Sequence, residues 1–287
     1  MKPLFWSAPA KLNLFLHITG RRDDGYHELQ TVFQLIEAAD EVRLSVREDG
    51  EIRRLSGLPG VAPEADLGVR AARLLKEASG TPLGVDIAVT KRLPMGGGLG
   101  GGSSDAATVL VATNALWGLG WSRADLARLG TALGADVPVF VAGRTAWGEG
   151  IGERLAPVAL ASCWFLVVTP DCHVSTAEVF QDPELTRDAE PLKMLRFFPD
   201  GATMAVADLM AATRNDCEPL VRRRYPEVAE ALRRLGEFGP ARLTGTGASV
   251  FLAAESEHHA RAVARRLPSR WRIMVTRSLA HSPLGDG

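Results

Sequence analysis

The segment Pro94-Met95-Gly96-Gly97-Gly98-Leu99-Gly100-Gly101-Gly102-Ser103-Ser104-Asp105-Ala106-Ala107 packs six glycines into seven positions just ahead of a run of helix-forming residues. Each glycine that becomes ordered forfeits about 0.5–1 kcal/mol relative to alanine. A need for positive φ accounts for one or two of them, and close backbone approach to a ligand is the economical reason for six. A glycine loop running into a helix offers unpaired N–H groups at the positive end of the helix dipole, which suits phosphate. Ser103 and Ser104 stand where they would cap that helix, bond phosphate oxygens or hold a metal ion. The alternative is a flexible linker or a helix-packing loop. The segment is not a Walker A loop, because Ser103 follows Gly102 with no Lys. Gly96, Gly98 and Gly101 fit G-x-G-x-x-G only as any glycine run would, and the second parallel strand with its acidic residue is missing. The H-R-D and D-F-G companions of protein kinases are absent.

Three shorter segments carry further candidates. Lys11 and Asn13, in Pro9-Ala10-Lys11-Leu12-Asn13-Leu14, alternate along a strand and so share a face. That face is functional or simply solvated. Asp136 is a lone carboxylate in Gly134-Ala135-Asp136-Val137-Pro138-Val139-Phe140, and it either does chemistry or caps the turn that Pro138 starts. Leu243-Thr244-Gly245-Thr246-Gly247-Ala248-Ser249 reads as a hairpin turn with some character of an anion nest. His258 and His259 resemble a metal pair only in spacing, since they adjoin an exposed helix start and lack carboxylate partners.

The elements that must position these groups follow from periodicity. Leu12–Thr19 and Glu41–Val46 read as strands, with a turn at Arg21–Gly25. Asp66 reads as the N-cap of a helix carrying Leu67, Ala71, Leu74, Leu75 and Ala78 and ended by Gly80. A strand at Val85–Thr90 precedes the glycine run, and Ser103–Trp117 reads as a buried helix. Ser122 with Asp125 resembles a capping box opening a helix that ends near Gly134. Beyond Gly150 come a strand at Trp164–Thr169, helices around Ala205–Ala212 and Tyr225–Leu235, and two strands flanking Gly245–Gly247. A helix at Glu257–Leu267 and a strand at Trp271–Arg277 complete a β-α-β-β-α-β order, the pattern of a ferredoxin-like sandwich. The expected division is residues 1–155 and 156–287.

Composition narrows the function classes. The 287 residues are 46% hydrophobic and 23% charged with a net charge of −1, as in an ordinary globular protein. This excludes disordered, collagen-like and disulfide-rich chains, and gives no support to non-specific nucleic-acid binding. Lysine occurs only at positions 2, 11, 76, 91 and 193, arginine supplying the other 28 basic residues. Each retained lysine is therefore a candidate for a role a guanidinium does not fill. The odd cysteines Cys163, Cys172 and Cys217 have no C-x-x-C spacing, so neither a disulfide framework nor a zinc site is expected. No apolar run of signal-peptide or membrane-spanning length is seen, and a cytoplasmic location is expected. No pattern betrays an oligomer, so a monomer or weak homodimer is expected.

Taken together, P-A-K-x-N-L, the G-G-G-L-G-G-G-S-S loop and L-T-G-T-G-A-S resemble the three ordered motifs of the GHMP kinases, over roughly residues 5 to 278. The resemblance implies an α+β, two-lobed fold, with an N-terminal α/β ATP-binding lobe and a C-terminal ferredoxin-like α/β sandwich. It implies an ATP- and Mg²⁺-dependent kinase of a small alcohol, with Asp136 as base and Lys11 beside it. Lys91 and Pro94, Met95, Gly96, Gly97, Gly98, Leu99, Gly100, Gly101, Gly102, Ser103 and Ser104 would hold ATP, with Mg²⁺ near Ser104. Asp24-Gly25-Tyr26-His27, Lys91–Ala107, Gly134–Val141 and Thr176–Phe180 resemble the branch that acts on a cytidine-diphosphate-linked methylerythritol, rather than on homoserine or mevalonate. Tyr26 and Phe180 would then sandwich the cytosine and His27 read its edge, with Asn13, Thr176, Gly245, Thr246 and Gly247 along the substrate. A regulator of the same fold that has lost catalysis is disfavoured, because Lys11 and Asp136 are both kept. Asp66 departs from the Asn-Leu that relatives often carry there, so it contacts adenine or only caps its helix. Arg144 replaces a His of some relatives without evident consequence.

Overall fold

The computed structural model describes residues 4–56 and 60–284. β1 (Leu4–Arg21) and β2 (His27–Arg47) form one long antiparallel hairpin. Its turn falls where Arg21–Gly25 predicts it, with Asp24 accepting from the Tyr26 N–H at 3.1 Å. Both strands are far longer than the segments read from the sequence. From Gln30 to Ile36 β2 is buried throughout, so the alternation that betrays a strand is absent there. β3 (Ile52–Arg54) pairs in parallel with β4 (Gly84–Thr90), which pairs antiparallel with β2.

Helix α1 (Leu67–Ser79) begins at Asp66, whose Oδ1 accepts the N–H groups of Gly68 and Val69, and ends at Gly80 in the left-handed conformation. Both ends were legible. α2 (Gly101–Leu116) is buried from Ser104 through Thr113. Trp117 Nε1 donates to the Gly84 carbonyl at 3.1 Å and ties the far end of α2 to β4. Burying each Val or Leu of α2 stabilises by about 1.5–3 kcal/mol, so the helix is a firm base for the glycine loop before it. α3 (Arg123–Gly130) starts at Ser122, whose Oγ accepts from the Asp125 N–H, but it ends before Gly134, where the chain turns instead. α4 (Val137–Ala142), β5 (Ala146–Glu149) and β6 (Arg154–Pro157) complete this part.

The rest of the chain contains β7 (Trp164–Thr169), α5 (Thr176–Gln181), α6 (Met194–Phe197), α7 (Val206–Ala211), α8 (Glu218–Arg224) and α9 (Pro226–Gly236). Then come β8 (Ala241–Leu243), β9 (Val250–Ala254), α10 (Glu257–Ala264) and β10 (Arg272–Leu279). The strand order β10-β7-β9-β8, antiparallel at every step, is that of a ferredoxin-like sandwich. β10 also reaches β2 through Ser278 and Leu279, so one sheet runs through both lobes. Leu12, Leu14, Phe15, Ile36, Phe165, Val167 and Phe251 form a buried cluster along this seam. Among the described residues, no helix is long and apolar enough to cross a membrane.

Candidate active site

A cavity of about 560 Å³ opens where the glycine loop, the middle of β1 and the turn after β8 meet. Its wall includes Pro94 through Ser103. The loop's glycines turn out to serve the protein's own packing as much as a ligand. Gly98 has φ 73°, and a Cβ there would lie 2.4 Å from the Thr244 carbonyl oxygen. A Cβ at Gly100, φ 70°, would lie 2.8 Å from the Phe140 ring. The loop is docked on the other lobe, with Ser249 N–H donating to the Gly97 carbonyl at 3.2 Å and Thr244 Oγ1 to the Gly98 carbonyl at 3.4 Å. Packing therefore requires glycine at least at Gly98 and Gly100. Packing does not account for Gly102, which is exposed and would meet only Leu67 at 3.5 Å.

Lys11 and Asn13 do not lie on a solvated face. Both are buried, and Lys11 Nζ donates to Asn13 Oδ1 at 2.5 Å and pairs with Asp136 Oδ2 at 3.1 Å. Asn13 Nδ2 donates to Thr31 Oγ1, which donates on to the Phe15 carbonyl, while the Asn13 N–H donates to Thr244 Oγ1. The ammonium also sits 5.6 Å from the centroid of Phe33. Asp136 precedes α4, yet its side chain makes no capping bond. The capping alternative fails, and the carboxylate is left a third exposed on the cavity wall beside the Lys11 ammonium.

Lys91 reaches the cavity between two carboxylates, donating to Asp40 Oδ2 and, at 2.8 Å, to Asp105 Oδ2. Asp40 Oδ1 in turn accepts the N–H groups of Arg92 and Leu93 and so pins the chain entering the loop. Burial pushes the Asp105 carboxyl up to about 7 against the pull of Lys91, with Asp40 adding to the rise. Burial opposes the charge on Lys91, but Asp105 and Asp40 outweigh it and raise its pKa. Asp66 lines the cavity near Leu67 and Gly68 while capping α1 and pairing with Arg54 at 3.5 Å, so its carboxylate is already engaged. Ser103 faces the cavity, whereas Ser104 is fully buried and its Oγ has no hydrogen-bond partner among the described residues.

The residues expected along the substrate are only partly gathered. Asn13, Thr176, Phe180, Gly245 and Thr246 line the cavity, and Thr176 and Thr246 are joined hydroxyl to hydroxyl at 2.9 Å. His27 is buried beside it and stacks on Phe180, with ring centroids 5.0 Å apart and planes at 28°. Tyr26 is 58% exposed and, like Gly247, is not part of the cavity wall. Asp40, Thr31, Thr244 and Arg187 were not singled out from the sequence. None offered a local signal: Asp40 stands among Glu37, Glu41 and Arg43 on its strand, and the others look like ordinary surface or strand residues.

Residues 66–144 match the profile of the GHMP kinases N terminal domain, and residues 194–273 that of the GHMP kinases C terminal. The chain belongs to the GHMP kinases, and it is an ATP-dependent small-molecule kinase. It is 57% identical over 280 residues, 97% of this chain and 92% of the relative, to a protein of Alkalilimnicola ehrlichii named 4-diphosphocytidyl-2-C-methyl-D-erythritol kinase. A protein of the same name from Pseudomonas aeruginosa is 54% identical, covering 94% of this chain and 92% of its own. A crystal structure of 4-(cytidine 5'-diphospho)-2C-methyl-D-erythritol kinase superposes with a TM-score of 0.79 at 36% identity, covering 96% of this chain and 99% of the other. A mevalonate kinase structure, at 16% identity and TM-score 0.68, shares the fold.

Proposed function

We propose that the chain transfers the γ-phosphoryl group of ATP to the 2-hydroxyl of 4-diphosphocytidyl-2-C-methyl-D-erythritol. The observation that carries this reading is the Lys11–Asp136 pair, buried on one side and open to the cavity on the other, beside the docked glycine loop. Phosphoryl transfer asks little covalent chemistry of a protein, and is accelerated by positioning and by stabilising charge on the transferred group. Asp136 accepts the proton of the acceptor hydroxyl. Lys11, held by Asn13 and screened from solvent, keeps its ammonium at the carboxylate and stabilises the negative charge that gathers there. N–H groups at the start of α2, with Gly102 open beside them, receive the ATP phosphates. The region around Val61, Ala65, Leu67 and Gly68 offers an apolar wall for adenine. Mg²⁺ would neutralise phosphate charge when bound. The partnerless Ser104 Oγ fits a role as its protein ligand, with most of the ion's ligands coming from phosphate and water.

Against a homoserine or mevalonate kinase stands the His27–Phe180 stack beside the cavity, which those acceptors, having no base, would leave unused. The relatives' names support the same choice. The lobes are proposed to divide near residue 155, by β6, where the chain leaves for β7. The test is ADP release with ATP and Mg²⁺ over a panel of alcohols. The cytidyl compound should exceed homoserine and mevalonate by at least about 100-fold in kcat/KM, a gap that a site built around hydrogen bonds can supply. Equal or better use of mevalonate would reject the reading.

A further inference from the structure

We propose that Arg187 is a positioning residue for base recognition, locking His27 in the tautomer that carries its proton on Nδ1 and holding Phe180 against the imidazole. Arg187 Nε donates to His27 Nε2 at 3.0 Å. A guanidinium has donors only, so Nε2 must offer its lone pair, and in the neutral ring the proton then resides on Nδ1. Three of the four remaining N–H groups go to the chain that carries Phe180. Nη2 donates to the carbonyls of Phe180 at 3.0 Å and Asp182 at 2.7 Å, and Nη1 to that of Leu185 at 2.9 Å. One planar fork thus fixes the end of α5 and the histidine that stacks on it, which an ammonium with its point charge does not reproduce. The segment bearing Arg187 is itself anchored, because Leu185 is buried and the Ala189 N–H donates to the Ile18 carbonyl of β1 at 3.0 Å.

His27 has one ring face on Phe180 and one edge on Arg187, and Nδ1 has no hydrogen-bond partner among the described residues. Burial, then Arg187 and Arg21, lower the pKa of the imidazole, which keeps it neutral. A base seated at Phe180 would therefore meet a single N–H donor. Cytosine presents an acceptor at N3, whereas uracil presents a donor there, so the locked tautomer selects cytosine. The nature of the ligand rests on the proposed cytidyl substrate; the tautomer does not.

Two measurements separate these layers. Nitrogen-15 histidine spectra should show Nδ1 protonated in the parent, with a shift toward the Nε2-protonated form and a raised His27 pKa in Arg187→Met. A parent His27 protonated on Nε2, or a tautomer unchanged in Arg187→Met, overturns the proposal whatever the substrate. In kinetics, Arg187→Met should raise KM for the cytidyl compound about 10-fold or more. KM for ATP should stay within about twofold, and preference over the uridyl analogue should collapse. Arg187→Lys should recover part of that preference by restoring one donor to Nε2. Equal rises in both KM values with a lowered Tm would mark Arg187 as merely structural and reject the role. If the parent ignores the cytidyl compound but its His27 behaves as expected in both proteins, the substrate reading falls while the positioning role stands.

Discussion

Along the glycine loop the cavity wall is main chain, whereas beside Lys11 it is made of side chains drawn from β1, β2, the residue before α4 and the turn after β8. The first half is contiguous in sequence and depends on what is missing at Cβ. The second is Lys11, Asn13 and Asp136 on the wall with Thr31 and Thr244 buried behind Asn13, residues that span more than 230 positions of sequence. The difference teaches where each half is fragile. Loss of one side chain in the assembled half removes chemistry and leaves the fold standing, while added atoms in the loop half disturb the docking of one lobe on the other.

The sharpest way to break this contrast is Asp136→Asn. Because Asp136 makes no capping bond, its loss should leave Tm nearly unchanged while kcat falls by at least about 10²-fold, the low end for a positioned base. Lys11→Ala should also lower kcat, and the double variant should lose much less than the product, since the two act as a unit. A lowered Tm with normal kcat per folded molecule would make Asp136 structural.

Next in size is the base-facing side. Phe180→Ala should raise KM for the cytidyl compound by about 5- to 150-fold with KM for ATP unchanged, the range for losing one stacked ring. Tyr26→Ala should do less, because Tyr26 stands exposed and off the cavity wall. Comparable losses in the two variants would mean that substrate draws Tyr26 in.

The loop half is tested by a pair of glycines. Gly98→Ala should lower stability by at least about 1 kcal/mol, since a positive φ and the Thr244 carbonyl both oppose a Cβ. Gly102→Ala meets no protein atom closer than 3.5 Å, so urea unfolding should change little while KM for ATP rises. A Gly102→Ala enzyme with unaltered ATP kinetics would leave the loop with docking as its sole purpose.

A pH-dependent effect concerns Asp105. Its folded pKa, about 7, lies above the ordinary 3.8. Its contribution to stability is thus full below the unfolded pKa and is lost as pH rises through about 7, a slope of at most about one proton. Unfolding of the parent and of Asp105→Asn between pH 4 and 8 should show the variant gaining relative stability as pH rises; parallel curves would refute this.

Sequence alone determined what depends on local chemistry. The glycine loop ahead of a helix, the Asp66 and Gly80 ends of α1, the hairpin turn at Asp24 and the β-α-β-β-α-β order were legible because caps, turns and periodicities act within a few residues. Lys11, Asn13 and Asp136 could be singled out, but not whether they were solvated or buried, nor that Asp136 caps nothing. Only the tertiary structure decided that the loop's glycines make room for Thr244 and Phe140, that Asp40 and Asp105 share Lys91, and that Arg187 reaches His27 across 160 positions. The physical reason is that a buried charge or hydrogen-bonding group is satisfied by whatever the fold brings near it, and the pairing of β2 with β1, β4, β5 and β10 leaves no local trace in sequence.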